Sequence, residues 1–223
     1  MWYASQDNGL VAMAYGPSTV KTEVADGIEA TILETTNYPF SDTLTFAISL
    51  PKGSEFNLAF RIPNWTDNAR LSINGADEQD CPKGSIFPIN RTWKNGDVVT
   101  LILPANLTAE KRYNNAVALR RGPLYFSLRI EKEFKRIHFE EKNFISIDYK
   151  GSADWEIHPV SDWNYGLLLD EEKPAANIKL DNFLIHDYPF GDRGDMVYWD
   201  QWDTFVSWQH EAPIVLRVPA RKI

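Results

Sequence analysis

Apolar residues recur at every second position through much of the chain. In TLTFAISL (43–50) Leu44, Phe46, Ile48 and Leu50 alternate with Thr43, Thr45, Ala47 and Ser49. In NLAFRIP (57–63) Leu58, Phe60 and Ile62 alternate with Asn57, Ala59 and Arg61. Successive side chains of a strand point to opposite faces, so this period predicts strands with one face on a core and one toward water. IEATILETT (28–36) and VVTLILP (98–104) are apolar on both faces, as expected where a strand lies deeper. Turn signals separate the runs. Asn74-Gly75 follows ARLSI and Asn95-Gly96 lies between Trp93 and Val98, both hairpin dipeptides. Pro17, Pro39, Pro51, Pro63, Pro104 and Pro123 mark further breaks. No amphipathic helical pattern exceeds two turns, and only EKEFKRIHFEEKNF (131–144) is ambiguous. Short strands at regular intervals with turns between them predict an all-β chain of sandwich type rather than βαβ units.

The pattern changes after about Ile130. Residues 128–150 are more charged, and 154–210 are aromatic, acidic and irregular. Clean alternation returns in APIVLRVPARKI (212–223), where Ile214, Leu216 and Val218 stand against Val215 and Arg217. A lone regular strand after a differently composed region reads as a returning strand that completes the first sandwich. Neither an internal repeat nor a low-complexity tract is present.

Charge and composition narrow the partners. The net charge of −8 would repel a phosphate backbone, which argues against nucleic acid. No apolar run reaches the roughly 18 residues of a membrane span, and MWYASQDNGL has neither the basic nor the apolar part of a signal peptide. Cys81 is the single cysteine, so it makes no internal disulfide and says little about redox compartment. Its setting, EQDCPKGS, reads as a polar turn with a surface thiol. Eight Trp residues suit both pleated faces and sugar stacking.

Candidate chemistry is sparse. A glycoside hydrolase usually needs two carboxylates at a defined separation. With 31 acids in the chain, DWEIHPVSDWNYGLLLD (154–170) offers Asp154, Glu156, Asp162 and Asp170 without singling out a pair. Glu34 alone sits in an apolar run that could raise its pKa. His138, His158, His186 and His210 are far apart and lack metal-ligand spacing. The acids of FGDRGDMVYWDQWD (Asp192, Asp195, Asp200, Asp203) do not have the spacing of an EF-hand loop. GxSxG, SxxK and glycine-rich phosphate loops are missing. No catalytic residue and no metal ligand is therefore assigned. Trp199, Trp202 and Trp208, with Asp200 and Asp203 beside them, are the candidates for carbohydrate contact: flat apolar rings next to acceptors for hydroxyls. Core or interface packing is the competing role for such rings. The sequons at Asn64, Asn90 and Asn106 are explained by turn-forming Asn beside Thr.

Several stretches, taken in order, resemble the C-terminal part of glycoside hydrolase family 127, the β-L-arabinofuranosidase-like proteins. They are FRIPNW (60–65), LSING (71–75), INRTWKNGDVVTLILP (89–104), AVALRRGPLYFSL (116–128), the Trp-Asn-Tyr segment within 154–170, and APIVLRVPARKI. The region from about Glu171 to Glu211 departs, being richer in Trp and Asp. The resemblance implies a bacterial parent protein, cytoplasmic or periplasmic, whose catalysis belongs to a preceding (α/α)6 barrel with a zinc-bound cysteine nucleophile. Cys81 does not match that cysteine, so zinc is expected in the barrel and no cofactor in this chain. The resemblance further implies two β-sandwich domains, the second inserted before the last strand of the first: residues 1–127 with 211–223, and residues 128–210. On that reading Trp155, Trp163, Asn164 and Tyr165 are structural, packing the second sandwich or its junction. Expected partners are the barrel, a second copy of the chain, and a plant cell-wall oligosaccharide. An apolar surface near Trp2, Tyr3 and Val11 would meet the barrel. A carbohydrate-binding module and a self-sufficient hydrolase using an acid pair are the alternatives.

Overall fold

A computed structural model describes residues 1–76, 78–137, 154–170, 173, 175–185 and 212–223. Described strands are β1 (Trp2–Ala4), β2 (Leu10–Ala12), β3 (Ser18–Val24), β4 (Ile28–Thr36), β5 (Thr43–Ser49), β6 (Ser54–Ile62) and β7 (Ala69–Ile73). They continue as β8 (Gln79–Cys81), β9 (Ser85–Trp93), β10 (Val98–Ile102), β11 (Leu107–Lys111), β12 (Val117–Arg121) and β13 (Leu124–Phe126). The last six are β14 (Lys132–Ile137), β15 (Asp154–Pro159), β16 (Tyr165–Leu167), β17 (Lys179–Asn182), β18 (Ile214–Arg217) and β19 (Ala220–Lys222). A single 3₁₀ turn, Tyr113–Asn115, is the only helical element among the described residues, and none of their helices is long and apolar enough to cross a membrane. The chain is all-β.

Two compact units are present. Met1–Tyr125 with Leu180–Leu216 forms one, and Phe126–Lys179 with Arg217–Ile223 the other. In the first, a four-stranded sheet runs β1-β2-β6-β9 and a six-stranded sheet runs β3-β4-β5-β10-β7-β8. The three-stranded sheet β11-β12-β13 follows, and β17 pairs with β18. In the second unit β14 pairs with β15 and β16 with β19. The closing alternation of 212–223 is thus divided between two strands that pair with different partners.

One buried cluster takes side chains from both large sheets. Leu44, Phe46, Ile48, Leu58, Phe60 and Ile62 belong to it, on the side that the period of two assigns to the core. Phe46 of β5 and Phe60 of β6 meet with ring centroids 5.0 Å apart. Trp93, fully buried at the end of β9, donates its indole N–H to the Phe56 carbonyl at 3.0 Å, which satisfies the one polar atom of that ring. Each such fully buried apolar side chain contributes about 1.5–3 kcal/mol, so the cluster is the main source of stability of this unit.

The structure also departs from the sequence reading at particular places. All six break-marking prolines lie between strands, but the Asn95-Gly96 turn does not close a hairpin. It carries the chain from β9 in one sheet to β10 in the other. The ambiguous stretch 131–144 begins as a strand, β14; residues 138–144 lie outside those described. Cys81 is buried rather than on the surface, because β8 pairs with β7 and sets Cys81 opposite Ala69 at the rim of the core.

Candidate functional site

β4 carries the one carboxylate that the sequence placed in an apolar run. Ala30 and Ile32 occupy its core face, and the strand period puts Glu34 in phase with them. Glu34 is 1% exposed, while its neighbour Leu33 points outward and is 48% exposed. Both Glu34 oxygens have donors: the Gly16 N–H on Oε1 at 2.9 Å and the Ser18 hydroxyl on Oε2 at 2.9 Å. The Trp2 indole N–H donates in turn to the Ser18 hydroxyl at 3.2 Å. Burial pushes the Glu34 carboxyl above its ordinary range, against the pull of these hydrogen bonds. Close by, the buried Tyr15 donates to the Arg61 carbonyl at 2.6 Å and meets Tyr38 edge-on at 5.8 Å. Burial raises both phenols above their usual range. The arrangement fastens the segment from Trp2 to Ser18 onto β4 and β6, and its hydrogen-bonding groups are occupied in doing so.

Two further carboxylates serve junctions. Asp97, 6% exposed, accepts from the Asn74 amide at 2.8 Å and from the Lys94 N–H at 2.9 Å, which locks the turn after β9 against the end of β7. Burial works to raise its pKa, but those hydrogen bonds and the nearby Arg91 and Lys94 charges outweigh it and hold Asp97 below the usual carboxylate range. Asp42 accepts from Arg121 Nη2 at 2.8 Å. The next residue, Gly122, lies under the Trp65 ring: a Cβ there would stand 3.4 Å from ring carbon Cζ3 and 3.0 Å from the Ala105 methyl. The segments FRIPNW and RGPL, far apart in the chain, meet at this point.

The sheet β11-β12-β13 gathers an ion-pair group that the sequence reading missed. Glu110 Oε1 lies 3.1 Å from Arg120 Nε, Arg112 pairs with the same carboxylate, and the Tyr125 hydroxyl donates to it at 3.2 Å. The alternation in LTAEK and VALRR was the signal available, because it puts Glu110 and Arg120 on the same sheet face.

Three acids of the 154–170 segment are engaged separately. Glu156 lies 3.1 Å from His158, Asp162 2.7 Å from Lys222, and Asp170 accepts from the Lys173 N–H at 3.0 Å. Asp154 and Trp155 lie on β15, with Trp155 in register with Arg136. Trp163 is 63% and Tyr165 39% exposed. They flank a tight turn in which the Tyr165 N–H donates to the Trp163 carbonyl, a backbone course that leaves the Trp163 ring outside the β16–β19 pairing. Asn164 does have a structural part, since its amide donates to the Ile223 carbonyl. Trp199, Trp202, Trp208, Asp200 and Asp203 lie outside the described residues, as do His138, His186 and His210.

Among the described residues no three His, Cys, Asp or Glu side chains come together as a metal site. Burial, with Asp80 beside it, pushes the Cys81 thiol up to about 11, the opposite of a metal-binding thiolate.

Comparison with known proteins adds a partial family match. Residues 9–105 match the sequence model described as β-L-arabinofuranosidase, GH127 middle domain. A search of curated proteins finds no match. Among solved structures, a GH127 β-L-arabinofuranosidase from Geobacillus stearothermophilus T6 is 25% identical, with a TM-score of 0.48 over 70% of this chain and 31% of that one. A protein described as a glycoside hydrolase is 23% identical (TM-score 0.48, 67% of this chain, 32% of that one). A GH127 β-arabinofuranosidase is 18% identical (TM-score 0.46, 69% and 31%). This chain spans about a third of the length of these solved proteins. Its residues 9–105, which hold the two large sheets, apart from β1, and their shared core, form a glycoside hydrolase-related region similar to the GH127 middle domain.

Proposed function

We infer that this chain is a non-catalytic, all-β supporting region of a GH127-like glycoside hydrolase. The observation that carries the reading is the match of residues 9–105 to the GH127 middle domain. The use of the buried carboxylates supports it: Glu34 binds Gly16 and Ser18, and Asp97 binds Asn74 and Lys94, so both stabilise the fold. A general acid or a nucleophile instead needs a carboxyl oxygen open to substrate. On this reading the chemistry and its zinc belong to a separate (α/α)6 barrel, which the β region holds in place or partners at the substrate entrance.

Hydrolysis of para-nitrophenyl arabinofuranosides and a small glycoside panel by the purified chain, with and without zinc, tests this. No turnover is expected. Turnover that a carboxylate-to-amide change at Asp154, Glu156, Asp162 or Asp170 abolishes would overturn it in favour of a self-sufficient hydrolase. The second reading, a carbohydrate-binding module, is favoured by the exposed Trp163 ring.

A further inference from the structure

The ribbon of β16 and β19 presents an exposed face to which no role has yet been given. Tyr165 stands opposite Lys222 and Leu167 opposite Ala220, so these four side chains share that face. Tyr165 is 39% exposed, Leu167 38%, and Trp163, two residues upstream, 63%. The Lys222 ammonium lies 2.7 Å from the Asp162 carboxylate. The backbone beneath is pinned: the Ile223 N–H donates to the Asn164 carbonyl at 3.0 Å, the Asn164 amide returns a bond to Ile223, and the Leu168 N–H donates to the Pro219 carbonyl at 2.8 Å. Exposed rings on so firmly tied a segment lose little freedom when a ligand lies on them.

The chemistry of the face selects the ligand. An indole and a phenol offer flat apolar surfaces with negative π faces, which attract the polarised C–H groups of a sugar ring. Asp162 and Lys222 supply an acceptor and a donor side by side, suited to neighbouring hydroxyls. Their charges cancel, so the pair favours a neutral ligand over an anion. We propose that Trp163, Tyr165, Asp162 and Lys222 form a stacking site for a neutral oligosaccharide. The proposal rests on the glycoside hydrolase-related reading above, and it places carbohydrate contact on the ribbon rather than on Trp199, Trp202 and Trp208.

Calorimetric titration of the whole chain with arabino-, xylo- and cello-oligosaccharides, beside an acidic oligogalacturonide, tests it. Binding to at least one neutral series is expected, weakened roughly tenfold by Trp163→Ala, as the loss of one aromatic stack implies. Trp163→Phe should recover part of the affinity, and Trp163→Ala should leave the thermal midpoint unchanged because the ring is exposed. Three results would each overturn the proposal: no binding of any neutral series at millimolar concentration, binding indifferent to Trp163→Ala, or preference for the acidic sugar. Sedimentation showing that Trp163→Ala turns an associated chain into a monomer would overturn it too, since a second copy would then cover the ring. Absent binding together with absent turnover leaves the supporting-region reading standing, whereas turnover defeats that reading whatever Trp163 binds.

Discussion

Gly122 offers the sharpest test of how two segments distant in the chain hold the fold together. Its φ of +56° is open to glycine and costly for other residues, and its α-hydrogens face the Trp65 ring and the Ala105 methyl. Gly122→Ala meets two separable penalties. Left-handed backbone costs an L-residue about 1–2 kcal/mol. Crowding adds to that, because the new methyl would stand 3.0 Å from Ala105 Cβ and 3.4 Å from the indole, and one of them must give way at a cost of about 1 kcal/mol or more. The sum is about 2–3 kcal/mol. In a chain of this size that lowers the thermal midpoint by about 4–12 °C.

Gly27 supplies the control. Its φ is +79°, and a Cβ there would meet nothing within 4 Å, so Gly27→Ala incurs the backbone penalty alone. Urea denaturation of both variants against the parent, followed by circular dichroism with a common slope, separates the two terms. Gly122→Ala should be the more destabilised by about 1 kcal/mol. Equal losses, or a Gly122→Ala loss below about 1 kcal/mol, would refute the claim that Trp65 packs tightly on this turn.

Two further outcomes follow from buried ionisable groups. Burial raises Glu34 above its unfolded value of 4.5, so the native state binds the extra proton. The resulting stability is fully present below pH 4.5 and is lost as pH rises through the folded value. Glu34→Gln should remove that decline, seen as a flatter plot of urea midpoint against pH; an unchanged slope would show that the carboxyl is not buried as described. Cys81, with its thiol near 11 and its side chain 6% exposed, should resist a thiol reagent at about pH 8 in the folded chain and react fully once urea unfolds it. Equal rates in the two states would place Cys81 back on the surface.

The strands of the first unit were legible because their signal is local. Each of Leu44, Phe46, Ile48, Leu58, Phe60 and Ile62 announces its own face by its neighbours, and the core followed from that period. Which sheet a strand joins is not local. Asn95-Gly96 looks like a hairpin turn in sequence, yet its strands enter different sheets, because their pairing is decided by partners far along the chain: β6 for β9, and β5 and β7 for β10. The burial of Cys81 is non-local for the same reason. A polar segment of turn character reads as surface, whereas its pairing with Ala69 carries the thiol inward.

Glu34 shows where composition and period disagree and which one prevails. By hydrophobicity alone Leu33 should be buried and Glu34 exposed. Yet β4 lies between β3 and β5, and its register sets Ile32 opposite both Val20 and Ile48, which commits Ala30, Ile32 and Glu34 to one face. A slip of one residue would bury Leu33 but would turn Ala30 and Ile32 outward, a worse exchange at about 1.5–3 kcal/mol for a fully buried Ile. The carboxylate is therefore carried inward by its neighbours, and the fold accommodates it with the Gly16 N–H and the Ser18 hydroxyl. A buried acid of this origin is a consequence of register, with both of its oxygens engaged inside the fold. The exposed Trp163 is the converse: it stands outside the β16–β19 register, so no strand period sets its face.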